Sequence, residues 1–111
     1  MNLKPTVEVA GTKPELWYAL GVVDCLHKEA TSQPIEITSM VDGPHMPGSL
    51  HAKGQAADIR TRDIDDVHKK ALYARCLATL FPLGFDVILE ADHMHIEYDP
   101  KPGRGLLHPA P

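Results

Sequence analysis

Two long stretches of the chain repeat apolar residues at the three- and four-residue spacing of an amphipathic helix. The first is predicted to begin near Pro14, with Thr12 as its cap, and to continue to about residue 30. The second is predicted over residues 64–81, with Asp63 as its N-cap. Each helix would present one apolar stripe, and such a stripe is buried against another element of the fold.

Shorter stretches alternate between apolar and polar residues or are apolar throughout, as β-strands are. The last two are separated only by residues 91–93, where Ala91-Asp92 allows a tight turn, which predicts a hairpin. The order helix, strand, loop, strand, helix, strand, strand predicts an α+β domain, with a small antiparallel sheet and two main helices. The predicted strands cover residues 35–40, 55–61, 85–90 and 94–98, with a further edge strand at residues 6–9.

The composition indicates one globular domain. A chain of 111 residues, 43% of them apolar, supports one compact core, so we expect a single domain over residues 1–111, with a loose tail at residues 100–111. The net charge of -4 and the lack of a Lys/Arg run argue against nucleic-acid binding. No stretch resembles a signal peptide or reaches membrane-spanning length. We expect a monomer without a membrane partner.

Candidate metal ligands lie in two segments, residues 49–58 and residues 92–95. The first supplies His51 and Asp58, and the second supplies two further histidines and a carboxylate. Zinc binds three or four nitrogen, oxygen or sulfur ligands, and a catalytic zinc site keeps one position for water. His51, Asp58 and one downstream histidine would complete such a set. Glu97, further along, is interpreted as a solvated charge.

The first segment reads Ser-x-His-x-x-Gly-x-Ala-x-Asp, and the second contains His-x-His preceded by an aspartate. These motifs resemble the signature of the zinc D-Ala-D-Ala carboxypeptidases and their relatives, which include phage L-alanyl-D-glutamate endolysins and the hedgehog fold. The resemblance implies a hedgehog/DD-peptidase-like fold and zinc peptidase activity. The matching positions are Ser49, His51, Gly54, Ala56 and Asp58 in the first motif, and Asp92, His93 and His95 in the second.

The resemblance also implies a role for each matching residue. The zinc ligands would be His51, Asp58 and His95. The family's general base is the acid three residues before the last ligand, which is Asp92 here; it would take a proton from a zinc-bound water, whose pKa the metal lowers to about 7. His93 would stabilise the oxyanion or carry the proton to the leaving amine, and His45, on the loop before the motif, is a further catalytic candidate.

Two features leave alternatives open. Glu90 also stands three residues before a histidine, so Glu90 and His93 can take the roles of base and ligand. The family's usual order, in which the first histidine of the pair is auxiliary, favours His95 as the ligand. Many relatives carry an arginine shortly after the strand that precedes the loop, and this arginine binds a substrate carboxylate. This chain has no arginine in that region, residues 38–42, so Arg60 or Arg62 would have to replace it.

The resemblance therefore implies a zinc metallopeptidase that hydrolyses peptide bonds in peptidoglycan stem peptides, of the D-Ala-D-Ala carboxypeptidase or L-Ala-D-Glu endopeptidase type. The size of the chain and the lack of a signal-peptide pattern suggest an endolysin of phage or prophage origin, used in cell-wall degradation, with a holin-type partner for its release. Such a protein is expected to be cytoplasmic until it is released, or to be phage-associated. The alternative is a non-catalytic zinc-binding module of the same fold, such as a phage structural or assembly component.

Overall fold

A five-stranded sheet and two α-helices make up the described part of the chain. The computed structural model describes residues 1–42, 50, 51 and 53–100. Within these residues, no helix combines the length and the apolar character that crossing a bilayer requires. In chain order the elements are β1 (Asn2–Leu3), α1 (Pro14–Thr31), β2 (Glu36–Ser39), β3 (Ala56–Arg60), α2 (Asp66–Leu80), a 3-10 helix (Phe81–Leu83), β4 (Phe85–Leu89) and β5 (His93–Tyr98).

The strands lie in the order β1-β2-β3-β5-β4, and every neighbouring pair is antiparallel except β1 with β2. Strands β4 and β5 form the predicted hairpin, in which Leu89 pairs with Met94. The amide of Glu90 donates to the carbonyl of His93 at 2.9 Å and closes the turn. A mostly antiparallel sheet with two helices confirms the predicted α+β class.

Both helices contribute to one apolar core on a single face of the sheet. Ala57 and Ile59 of β3 belong to this core, as do Met94 and Ile96 of β5. Because successive side chains of a strand point to opposite faces, the residues between them lie on the other face of the sheet. This second face, called the polar face below, carries Asp58, Arg60, His93, His95 and Glu97.

The start of α1 differs from the prediction in its cap. The helix spans Pro14–Thr31, which confirms the predicted extent, but its N-cap is Lys13, whose side chain makes no capping hydrogen bond. The hydroxyl of Thr12 donates to the carbonyl of Val9 at 2.6 Å. The prediction of Thr12 as the cap is therefore wrong, since its hydroxyl is used in the preceding turn.

The second helix begins later than predicted. Its N-cap is Asp65, whose carboxylate accepts a hydrogen bond from the amide of His68 at 3.0 Å. Asp63, the predicted cap, forms a salt bridge with Arg60 at 2.8 Å. The prediction of Asp63 is therefore wrong: by residue type several aspartates here suit the position, and the backbone conformation selects Asp65.

The N-terminal edge strand also lies elsewhere. Strand β1 pairs in parallel with β2, and the amide of Asn2 donates to the carbonyl of Ile35 at 2.8 Å. The chain then turns at Pro5 and Thr6, so residues 6–9 form no strand and that prediction is wrong. Proline has no amide hydrogen to donate, so Pro5 does not extend the strand.

Gly54 brings the loop before β3 against the N-terminal segment. Its φ of 72° lies in the left-handed region, and its carbonyl accepts a hydrogen bond from the amide of Lys13 at 2.8 Å. A Cβ at this position would overlap with the carbonyl of Gly11. Close backbone contact between two segments therefore explains the glycine of the motif, independently of the chemistry of the site.

Gly54→Ala is expected to lower the free energy of unfolding by about 3 kcal/mol, because left-handed strain and the clash with Gly11 act together. Gly11→Ala is the matched control. Gly11 has a φ of 78°, but a Cβ there would meet no atom within 4 Å, so only about 1 kcal/mol of backbone strain is expected. Urea unfolding of both variants measures the difference. If both variants lose the same free energy of unfolding, the clash with Gly11 adds nothing to the cost of Gly54→Ala.

Candidate metal centre

The register between β3 and β5 places Asp58 opposite His95 on the polar face. The two side chains meet, since His95 Nδ1 lies 2.9 Å from Asp58 Oδ1. Their side chains are 19% and 18% exposed, so both are mostly buried but still reachable from solvent. The residues are 37 positions apart in the chain, so this contact depends on pairing between strands that are distant in sequence.

His51 approaches the same carboxylate from the loop before β3. Its Nδ1 lies 2.8 Å from the carbonyl oxygen of Met40, which can only accept, so the proton of the neutral ring is on Nδ1. His51 Nε2 lies 3.5 Å from Asp58 Oδ1, and the centroids of the His51 and His95 rings are 5.0 Å apart. In metal-binding histidines the N–H of the second ring nitrogen commonly donates a hydrogen bond to such a carbonyl, which orients the ring.

Glu97 contacts the other nitrogen of His95. Its Oε1 lies 2.8 Å from His95 Nε2, and its side chain is 17% exposed. A histidine that binds a metal through one nitrogen commonly donates its other N–H to a carboxylate, which fixes the tautomer of the ring. The interpretation of Glu97 as a solvated charge is therefore wrong. The signal that predicts the contact is its position two residues after His95, on the same strand face.

These contacts form a ligand group that can hold a metal ion. One nitrogen or oxygen atom from each of His51, Asp58 and His95 lies within 4.8 Å of the others. Two imidazoles and one carboxylate suit borderline divalent metals better than calcium or magnesium, which prefer oxygen ligands. The structure thus brings together the three residues that the sequence predicts as ligands.

The charges in this group stabilise one another. Burial alone would favour the neutral carboxyl of Asp58, but hydrogen bonds and charge from His51 and His95 outweigh burial and hold the pKa of Asp58 well below its ordinary value. Burial alone would lower the pKa of His95, but the carboxylates of Asp58 and Glu97 outweigh it, so this pKa is raised. Asp58 is therefore anionic at neutral pH, and a proton would compete with a metal ion for the His95 ring.

Asp92 and His93 lie beside this group, at the turn of the β4–β5 hairpin. Asp92 Oδ1 lies 2.8 Å from His93 Nδ1, and this hydrogen bond lowers the pKa of Asp92. His93 Nε2 lies 3.9 Å from Asp58 Oδ1, so the ring reaches from the turn toward the ligand group. The Asp92 side chain is 69% exposed, so its carboxylate is accessible to a bound molecule.

A cavity of about 290 Å³ connects these side chains. Asp58, Asp92 and His93 all line it, so one candidate ligand and two candidate catalytic residues face the same space. Lys4 and Arg62 line it as well and add positive charge. The cavity therefore places a proton acceptor, a candidate metal ligand and cationic side chains around one space that can hold a small molecule.

Of the two arginines considered for a substrate carboxylate, Arg60 is already paired. Its guanidinium lies 3.1 Å from Glu36 and 2.8 Å from Asp63. Arg62 lines the cavity beside Asp92. Arg62 is therefore the better candidate of the two for contact with a substrate carboxylate.

The geometry also bears on the alternative assignment of the second motif. His95 belongs to the ligand group found among the described residues, and His93 does not. Glu90 is exposed and does not line the cavity that contains Asp92. These observations favour the arrangement with Asp92 and His95 over the one with Glu90 and His93.

Some predictions concern residues outside the described part of the chain. His45, the third catalytic candidate, and Ser49, the first position of the motif, belong to residues 43–49. The loose tail predicted over residues 100–111 is described only at Pro100. These stay predictions.

Comparisons with known proteins do not assign the chain to a family. No family model matches it, and no curated protein matches it at a significant level. The resemblance to the zinc DD-peptidases therefore stays a prediction, and the geometry of the site carries the functional interpretation.

Proposed function

We propose that the chain is a zinc metallopeptidase that hydrolyses peptide bonds in peptidoglycan stem peptides, of the D-Ala-D-Ala carboxypeptidase or L-Ala-D-Glu endopeptidase type. One observation carries the proposal: the ligand group lies beside a cavity lined by Asp92 and His93. These are also positions at which the sequence resembles that peptidase family. The motif and the local geometry therefore support the same activity.

The donor set supports zinc as the metal. His51, Asp58 and His95 offer three protein ligands, and catalytic zinc sites commonly use three and leave a further position for water or substrate. Met40 and Glu97 contact the second nitrogens of the two rings, as partners of zinc-bound histidines do. When bound, zinc lowers the pKa of a water molecule to about 7 and polarises a carbonyl group.

Asp92 would transfer the proton, and His93 would stabilise the charge that develops on the substrate. The hydrogen bond from His93 favours the charged form of Asp92, which would accept a proton from the attacking water and pass it to the leaving amine. With Nδ1 bonded to Asp92, a protonated His93 ring would direct its Nε2–H into the cavity. This donor would stabilise the negative charge that develops on the carbonyl oxygen.

A non-catalytic zinc-binding module of the same fold is the second candidate. The pairing of Arg60 with Glu36 and Asp63 favours it, because the guanidinium of this arginine already binds two carboxylates of the protein and is not free for a substrate carboxylate. In such a module the metal would contribute to folding stability, as structural zinc does in other small domains. The protein would then act as a binding or assembly component.

The proposal is tested by measuring the zinc content of the purified protein and digesting purified peptidoglycan with it. We expect one zinc per chain and product masses that define one cleaved peptide bond. Chelation should remove the activity and added zinc should restore it. Zinc without cleavage of several wall types would favour the binding module, and the absence of zinc after reconstitution would overturn both candidates.

A further inference from the structure

A second cavity, of about 540 Å³, lies between the last turns of α1, the start of β2, the end of β3 and the first turn of α2. None of the residues proposed to bind zinc or to act in catalysis lines it. Its polar lining includes His27, Glu36, Arg60, Asp63, Asp65 and His68.

His27 is a buried histidine with one unpaired ring nitrogen. The residue is 6% exposed, and its Nδ1 lies 2.7 Å from the carbonyl oxygen of Gln33. A carbonyl can only accept, so the neutral ring carries its proton on Nδ1 and keeps a lone pair on Nε2. In the part of the chain that the structure describes, Nε2 has no hydrogen-bond partner. His27 lines the cavity, so a molecule bound there can supply a hydrogen-bond donor to Nε2.

The cavity is negatively charged. Three carboxylates line it, those of Glu36, Asp63 and Asp65. Arg60 supplies a guanidinium, which lies 3.1 Å from Glu36 and 2.8 Å from Asp63. His68 Nδ1 lies 2.7 Å from Asp65. Three carboxylates against one guanidinium leave an excess of negative charge, and this excess attracts a cation.

The spacing of these groups favours an ammonium ion over a metal ion. Among residues 1–42, 50, 51 and 53–100, two sets of three possible ligands come within 4.8 Å of one another: the group proposed for zinc, and Asp86 with Glu97 and Asp99. No such set lies in this cavity. An ammonium group has three N–H donors and needs acceptors, but no tight coordination shell. One donor can meet His27 Nε2 while the carboxylates balance the charge.

The two cavities adjoin, because Glu36 and Arg60 line both. Arg60 lies two residues after Asp58 on the same face of β3, about 7 Å along the strand. We propose that this second cavity binds a primary ammonium group and, resting on the proposed peptidase function, that it holds an amine-bearing side chain of the substrate peptide near the scissile bond. The site would then select peptides that contain a diamino acid.

The binding is tested by NMR titration of the nitrogen-15-labelled protein with Nα-acetyl-L-lysine amide, which carries the ammonium group. Nα-acetyl-L-norleucine amide, which lacks that group, is the matched probe. The lysine probe should shift the amide signals of Thr31 and Ile64 and the Nε2 signal of His27, with a dissociation constant of about a few millimolar. The norleucine probe should not. This measurement needs neither zinc nor hydrolysis.

Two variants with the same change of charge sharpen the test. Asp63→Asn removes a carboxylate of the cavity whose side chain is 70% exposed, and it should weaken lysine binding roughly fivefold without unfolding the protein. Asp66→Asn makes the same change in the first turn of α2, outside the lining, and should leave binding within about twofold. The proposal is overturned if no cavity signal moves, if both probes shift the same signals, or if both variants weaken binding alike.

Hydrolysis kinetics separate this proposal from the peptidase proposal. If lysine-containing stem peptides are cleaved, acetylation of the lysine ammonium should raise KM roughly tenfold with kcat little changed. An unchanged KM would contradict the substrate role of the cavity. If the lysine probe binds but no wall peptide is cleaved, the peptidase proposal fails and the ammonium site stands.

Discussion

Asp58→Asn is expected to remove zinc from the protein. The amide keeps the shape of the side chain but not its charge, so only two neutral ligands remain and the zinc affinity should fall by more than about 100-fold. Zinc at 100 times the wild-type dissociation constant should stabilise the wild type by about 2.7 kcal/mol, or raise its melting temperature by about 10 °C, and should stabilise the variant by less than about 0.4 kcal/mol. Metal analysis and melting curves with and without zinc measure both effects.

Asp86→Asn is the matched control for this variant. Asp86 lies opposite Glu97 in the β4–β5 register, on the same polar face, but it is not one of the three proposed ligands. It should keep one zinc per chain. If Asp58→Asn instead retains wild-type zinc affinity while Asp86→Asn loses it, the metal lies among the acidic residues of β4 and β5, and the proposed ligand group is wrong.

Asp92→Asn is expected to abolish most of the hydrolysis and to leave the zinc content unchanged. The amide cannot accept the proton of the attacking water, and loss of a general base lowers kcat by roughly 100- to 10,000-fold. The side chain is 69% exposed and belongs to a turn, so the fold should be unaffected. Steady-state kinetics on a defined stem peptide, with metal analysis of the same preparation, measure the effect.

Glu90→Gln is the control that separates the two assignments of the motif. Glu90 lies two residues before Asp92, is exposed, and is not part of the cavity lining. This variant should retain wild-type kcat. If Glu90→Gln loses activity and Asp92→Asn keeps it, Glu90 and not Asp92 is the general base. If both variants are as active as the wild type, neither residue acts as the general base and that part of the proposal is wrong.

The polar face lies opposite the core, so one short sheet both packs the core and carries the candidate metal centre. The core face of β3 and β5 carries apolar side chains that pack with the helices, so the ligands do not have to replace core residues. On the polar face Ile88 is 41% exposed and stands opposite His95 in the β4–β5 register. An open surface with an apolar residue next to the ligand group suits an extended peptide better than a small enclosed substrate.

Much of the fold could be predicted because the helix and strand periodicities are strong. The extent of α1 and the hairpin at Ala91-Asp92 follow from local pattern alone. The errors lie at element ends, where several residues suit the same position. Asp65 caps α2 in place of Asp63, and β1 lies before Pro5 instead of after it. Such boundaries depend on backbone conformations that neighbouring elements select.

Parts of the site could not be predicted because their partners are backbone atoms or residues distant in the chain. No pattern indicates that the carbonyl of Met40 orients His51, because every residue has a backbone carbonyl and the residue type does not reveal which one contacts the ring. The sequence likewise does not predict that His27 Nε2 has no hydrogen-bond partner among the described residues, because this depends on how the chain turns at Gln33. Gly54, by contrast, is part of the motif, but a glycine is required there because its backbone packs against Gly11, which is distant in the sequence.

By itself the sequence determined which side chains share a face of each strand, because side chains alternate along a strand whatever surrounds it. It therefore determined that His95 and Glu97 lie together and away from the core. Only the tertiary structure decided that Asp58 faces His95, because the pairing of β3 with β5 joins segments far apart in the chain. That pairing depends on the helices and strands packing around one common core, which no local pattern encodes.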